Sequence, residues 1–176
     1  MRKILFTVNV YVPLMMTLVL ASCGYHLAGH GEGGGAIPED VHTLSIQAAS
    51  GSKAFLPLLR QRIQSDPHAY TLVDGQPDKG SSTHHAVLRI THVAEKFAPV
   101  AYDAAGIAIQ YRLTLKGGLA VYHQGKVIWQ SGAVSVKGDV FATGGPASIE
   151  ASRQRLADDL RKEWMRNVWT RLRAGF

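Results

Sequence analysis

From Ile107 to Val121 every odd position except Gly117 carries an apolar side chain, and Gln110, Arg112, Thr114 and Lys116 fall between them. A period of two puts successive side chains on opposite faces of a strand, so this stretch commits the chain to a sheet with one buried face. The parity survives Gly117-Gly118, so 107–123 reads as one long strand softened at the glycines, not as two strands joined by a tight turn. Turn residues bracket it, Asp103 to Gly106 before and Gln124-Gly125 after. Upstream, Leu88 and Ile90 alternate with Arg89 and Thr91 in a strand predicted from Ala86 to about Phe97. Downstream, Val127 and Trp129 have one parity and Val134 and Val136 the other, which predicts one extra residue, a β-bulge, near Gly132.

The rest of the pattern is helix and short strand. Val41 to Ala48 alternates loosely, with Leu44 and Ile46 expected in the core. Ser52 is the expected N-cap of a helix whose Phe55, Leu59 and Ile63 recur every fourth residue until Asp66-Pro67 stops it. A short strand around Tyr70 to Val73 and a polar loop through Ser82 follow. The last element is a long amphipathic helix from 146 to about 173, with Ile149, Leu156, Leu160, Trp164, Val168 and Leu172 along one stripe. Its other face carries Arg153, Arg155, Arg161, Lys162, Arg166, Arg171 and Arg173. These read either as a solvated face whose later cations complement the helix dipole or as a contact for an anionic ligand or membrane.

The start of the chain has a different origin. Arg2 and Lys3, an apolar run from Ile4 to Leu20 and the small residues after it form a bacterial export signal. Leu20-Ala21-Ser22-Cys23 matches the lipobox at which the cysteine thiol is diacylated and the chain cut before it. Asn9 and Pro13 interrupt the run, which falls short of the roughly 20 apolar residues of a spanning helix. Cys23 is the only cysteine, so it has no disulfide partner within an exported chain; acylation is the expected fate. Diacylglycerol and an N-acyl chain on Cys23 would be the only attached groups, with no separate cofactor, and more than one acyl chain anchors stably. The expected division is 1–22 signal peptide, 23–36 lipidated N-terminus with a glycine-rich tether, and 37–176 a single domain. Removing Arg2 and Lys3 lowers 19 basic residues to 17 against 13 acidic, a net charge of +4. In an exported chain that surplus points to anionic lipids and not to nucleic acid.

No G-x-S-x-G, H-E-x-x-H, phosphate loop or dinucleotide fingerprint occurs, so no enzymatic activity and no metal site is expected. His84 and His85 would point to opposite faces of a strand and His92 lies seven residues beyond His85, so none has zinc-ligand spacing; polar surface or strand-end histidines are expected.

Cys23-Gly24-Tyr25-His26-Leu27, Ile37-Pro38, the turn Tyr102-Asp103-x-x-Gly106, Gln110-Tyr111-Arg112-Leu113, Gly125-Lys126-Val127-Ile128-Trp129 and the basic closing helix resemble, in this order, the LPS-assembly lipoprotein LptE family across the whole mature chain. The resemblance implies an α+β fold, a two-layer sandwich in which two helices pack on a mostly antiparallel sheet of about four strands; the element count above agrees. It also implies an outer-membrane lipoprotein that plugs the lumen of an LptD-type β-barrel, assists its assembly and binds lipopolysaccharide. Gly24, not Asp, after the cysteine fits outer-membrane sorting. Family members are thought to use basic residues on sheet-end loops, but 99–106 contains Asp103 and no Lys or Arg. The nearest candidates for lipopolysaccharide binding are therefore Lys96, Arg112, Lys116 and Lys137. A free periplasmic lipid or lipopolysaccharide carrier, or an auxiliary structural lipoprotein of another envelope complex, is the alternative.

Overall fold

The computed structural model describes residues 35–67, 70–75 and 83–175. Strand β1 (Thr43–Ala48) leads through a single 3-10 turn (Lys53–Phe55) into helix α1 (Leu56–Gln64). The strands β2 (Thr71–Leu72), β3 (His85–Ile90), β4 (Ala94–Tyr102), β5 (Ala108–Gly117), β6 (Leu119–His123), β7 (Lys126–Gln130) and β8 (Val134–Phe141) follow, and helix α2 (Gly145–Ala174) closes the domain. A five-stranded sheet has the order β2-β1-β3-β6-β7 and a three-stranded sheet the order β4-β5-β8. β1 pairs parallel with β2 and β3, and every other pairing is antiparallel. The architecture is the expected α+β class, with eight strands in two sheets where about four in one sheet were predicted.

The difference has one cause. Three long strand paths, β3 into β4, β5 into β6 and β7 into β8, lie side by side, and all three break along a single line. At that crease Thr91 N–H and Oγ1–H both donate to the Gly118 carbonyl at 2.9 Å. On the far side of Gly118, Leu119 N–H donates to Ser131 Oγ and Ser131 N–H to the Leu119 carbonyl, again at 2.9 Å. A Cβ on Gly118 would lie 2.8 Å from the Gly132 carbonyl oxygen and one on Gly117 2.8 Å from a Val93 methyl. The glycine pair is thus a fold line where backbones meet, because any side chain would force them apart. Three sequence expectations are corrected here. The strand from Ala86 to Phe97 is two strands in different sheets, the strand 107–123 crosses between sheets at Gly118, and the parity change near Gly132 is a sheet crossing at 131–133. The ladder irregularities lie instead in β7, where Tyr122 pairs with Val127 and Val121 with Trp129, and between β4 and β5 over Pro99 to Tyr102.

Both helices cover one face. Leu44, Leu88, Ile90, Leu119 and Val121 from the larger sheet and Leu113, Leu115, Val134 and Val136 from the smaller meet Leu59, Ile63, Leu160, Val168 and Leu172, all essentially buried. Each such side chain contributes about 1.5–3 kcal/mol relative to exposure. Trp164 sits at the centre, fully buried, edge-on to Phe55 at 5.1 Å between centroids, with Nε1–H donating to the Val134 carbonyl at 3.2 Å. The predicted helical stripes hold, but Ser52 is not a side-chain cap: its Oγ–H donates to the Thr91 carbonyl, pinning the start of the helical segment to the crease.

Several of the α2 arginines that read in sequence either as a solvated face or as a contact for an anionic ligand or membrane are instead fasteners. Arg153 and Arg161 reach Glu95 on β4 at 2.9 and 3.4 Å. Arg171 Nη1–H donates to the Ser131 carbonyl, and Arg173 pairs with the buried Asp66 at 2.9 Å.

Candidate binding surface

Cys23 lies outside the described residues. The four candidate cations all fall on the smaller sheet, on the face turned away from α2. The register sets them in rows: Lys96 and Lys137 flank Thr114, Lys116 lies between Ala94 and Ser135, and Arg112 lies between Ala98 and Asp139. Alternation explains the grouping, because the even residues of β5 leave the core to its odd residues Leu113 and Leu115.

The four are not equivalent. Arg112 Nε–H and Nη2–H donate to the two Asp139 oxygens at 2.7 and 2.8 Å, and Gln110 Nε2–H adds a third bond at 2.8 Å. The Arg112 hydrogen bond holds the Asp139 carboxyl below its ordinary value, with smaller help from the Arg112 charge, Gln110 and the field of Lys137. Arg112 is therefore already neutralised. Among the described residues Lys96, Lys116 and Lys137 form no ion pair, and all three are exposed. The free positive charge of this face rests on the three lysines.

Beyond the cations the same sheet runs out past its helix. Along the inner face of β5 exposure falls from Ile107 (64%) and Ile109 (46%) to Leu113 (0%). Val100, Tyr102 and Phe141 are exposed at the same end, Phe141 opposite Gln110 on the outer face. Ile107 and Ile109 were expected in the core by parity and are not, since parity fixes the face of a strand and not how far its cover extends. The tip is braced. Asp103 Oδ1 accepts from Ala105 N–H at 2.9 Å and Ile107 N–H at 2.8 Å, and Gly106 takes φ +78°. Asp103 is thus a turn-former, which accounts for an acid where the resemblance led one to look for a base. The apolar tip was missed by sequence reasoning; its signal was Val100, Tyr102, Ile107 and Ile109, four large apolar residues within a few positions of a tight turn.

The outer face of the larger sheet is self-contained. His85, buried, meets Thr43 Oγ1 at 2.9 Å through Nδ1 and Ser45 Oγ at 3.1 Å through Nε2, and His123 Nδ1 lies 3.0 Å from the His85 carbonyl. Burial, then the nearby His123, pushes the His85 pKa down. Arg89 donates twice to Gln47 Oε1 and lies 4.4 Å over the Tyr122 ring. His84 and His85 do face opposite ways, and His85, the first residue of β3, is a strand-end histidine as expected, but it is buried within the outer face and not exposed. Among the described residues no three His, Cys, Asp or Glu side chains are placed to hold a metal ion, and no helix is long and apolar enough to cross a membrane.

No protein-family model and no curated protein matches this chain. Solved structures do. The rare lipoprotein B of Shewanella oneidensis superposes with a TM-score of 0.59 at 16% identity, covering 73% of this chain and 91% of that one. An uncharacterized lipoprotein B of Nitrosomonas europaea gives 0.62 at 12% identity over 76% and 83%. A minor lipoprotein of Acinetobacter baumannii gives 0.57 at 10% over 76% and 91%. At these identities the likeness is one of fold, which this chain shares with solved bacterial lipoproteins.

Proposed function

We propose that this chain is an outer-membrane lipoprotein, acylated on Cys23, that occupies the lumen of an LptD-type β-barrel, assists its assembly and binds lipopolysaccharide on its way to the cell surface. The observation that carries this reading is the three-stranded sheet, with an exposed lysine face and a braced apolar hairpin extending past its helix. Large outer-membrane barrels have polar lumens, which a charged sheet face suits without burying an unpaired charge. The motif resemblance to the LptE family and the shared fold with lipoprotein B proteins support the same assignment. The reading makes and breaks no bond, so no cofactor and no catalytic group is required of the protein.

The free-carrier alternative needs a concave apolar pocket of roughly 300–1,000 Å³ that encloses its ligand. The cavity between segment 35–42 and the end of α2, lined by Ile37, Val41, Trp169 and Leu172, holds about 190 Å³. Purification from outer membranes in mild detergent tests it: a stable one-to-one complex with a β-barrel is expected, and recovery of monomer alone, with normal barrel assembly in a deletion strain, would overturn it. Mass spectrometry of the mature N-terminus tests acylation; an unmodified Cys23 would remove the anchor.

A further inference from the structure

The helical face carries a second concentration of charge, remote from the lysine sheet. Leu58, Arg62 and Ser65 recur along one side of α1, and Lys162, Met165 and Arg166 along one side of α2, and together they line a groove of about 340 Å³. Its floor is apolar, with Leu58 half-buried and Met165 buried. Its walls are basic and no carboxylate lines it. Arg62 and Arg166 form no ion pair among the described residues, and Lys162 has a loose pair with Asp159 at 3.6 Å, with both side chains more than half exposed. Helix-dipole complementation accounts for Arg62, in the last turn of α1, but not for Lys162 and Arg166, which lie more than one turn short of Ala174 where that effect has faded. The other basic residues of α2 mostly have structural partners: Glu95 takes Arg153 and Arg161, Ser131 takes Arg171 and Asp66 takes Arg173.

We propose that this groove binds the phosphate headgroup of an anionic lipid, with the three cations around the phosphate and the glyceryl and first acyl carbons against Leu58 and Met165. Arg62 and Arg166 face each other across the groove without counter-charges and repel, with Lys162 only loosely paired to the exposed Asp159, and a phosphate replaces that repulsion with attractions to all three. The apolar floor selects an amphiphile over a bare ion, since inorganic phosphate gains nothing from Leu58 and Met165. The site is separate from the lysine face and does not depend on a barrel partner.

The full chain in neutral detergent would be titrated with dihexanoyl phosphatidic acid, dihexanoyl phosphatidylcholine and inorganic phosphate while NMR follows the amides of 58–66 and 162–167. Saturable shifts confined to those amides are expected with the phosphatidic acid, weakening as salt rises, with the other two probes weaker by about tenfold or more. The triple variant R62Q/K162Q/R166Q should lose about tenfold in affinity with an unchanged melting temperature; should it fail to fold, R166E alone, at an exposed position, is expected to weaken binding measurably. Equal binding by the charge variants, equal binding of inorganic phosphate, or shifts centred on Lys96, Lys116 and Lys137 would each overturn the proposal. Barrel co-purification has no part in this readout, so either reading can fail without the other.

Discussion

The two sheets share three strand paths, yet their outer faces treat polar groups in opposite ways. On the larger sheet His85, Thr43, Ser45, Arg89, Gln47 and Tyr122 satisfy one another. On the smaller sheet only Arg112, Gln110 and Asp139 do so, while Lys96, Lys116 and Lys137 stand without ion pairs and the apolar hairpin tip is uncovered. A surface whose groups already bind each other has little to offer a partner, because a contact must first break internal bonds of comparable worth. The smaller sheet has left its groups available. That contrast singles out the smaller sheet as the face to test for a partner.

The sharpest way to break the contrast is to make one chemical change in both sheets. Leu88→Ala, at a fully buried β3 position, is expected to cost about 2–5 kcal/mol. Ile109→Ala, 46% exposed on β5, should stay below about 1 kcal/mol. Chemical denaturation of the two variants measures both, and similar losses would mean that the hairpin end is covered in the free protein. At the seam, Gly118→Ala should cost about 1–3 kcal/mol by overpacking, because the new methyl carbon meets the Gly132 carbonyl and Thr91 Oγ1; thermal melting reads this.

The histidine of the closed face gives that face a pH signature of its own. His85 has a lowered folded pKa, so the unfolded chain binds the proton first as pH falls. Its contribution is complete above the unfolded value near 6.5 and is lost as pH falls from there toward the folded value, with a slope of at most about 1.4 kcal/mol per pH unit. His85→Gln should flatten the denaturation midpoint against pH below neutrality; an unchanged profile would assign the dependence elsewhere. The smallest effect on stability is expected from K96Q/K116Q/K137Q, within about 0.5 kcal/mol, although the same variant should lose the salt-sensitive part of lipopolysaccharide binding, at about 1 kcal/mol or less for each contact. Calorimetry at low and high salt would show it, and unchanged binding in a folded variant would exclude charge pairing by the lysine face.

Most of the fold was legible in the sequence because periodicity reports which side of an element is buried. The stripe Leu160, Trp164, Val168, Leu172 and the odd positions Leu113, Leu115, Leu119, Val121 are core residues as predicted. Periodicity carries no information about which sheet a strand joins. The crease was therefore visible only as a glycine pair and a parity change, each with a more local explanation available. Exposure at Ile107 and Ile109 was illegible for a related reason, since it depends on where α2 covers the sheet, a tertiary fact. The lysines could be named from sequence, but the neutralisation of Arg112 by Asp139, 27 residues away, could not.

The crease also has a mechanical consequence. All three strands of the smaller sheet continue covalently into the larger one, so force applied at the hairpin tip has no flexible linker to stretch. It loads β3, β6 and β7 lengthwise, across ladders that resist in shear as whole rows of hydrogen bonds and do not unzip one bond at a time. A barrel wall closing on the tip would thus be gripping a strut anchored in the body of the domain, and the tip could not be drawn away without pulling on the core.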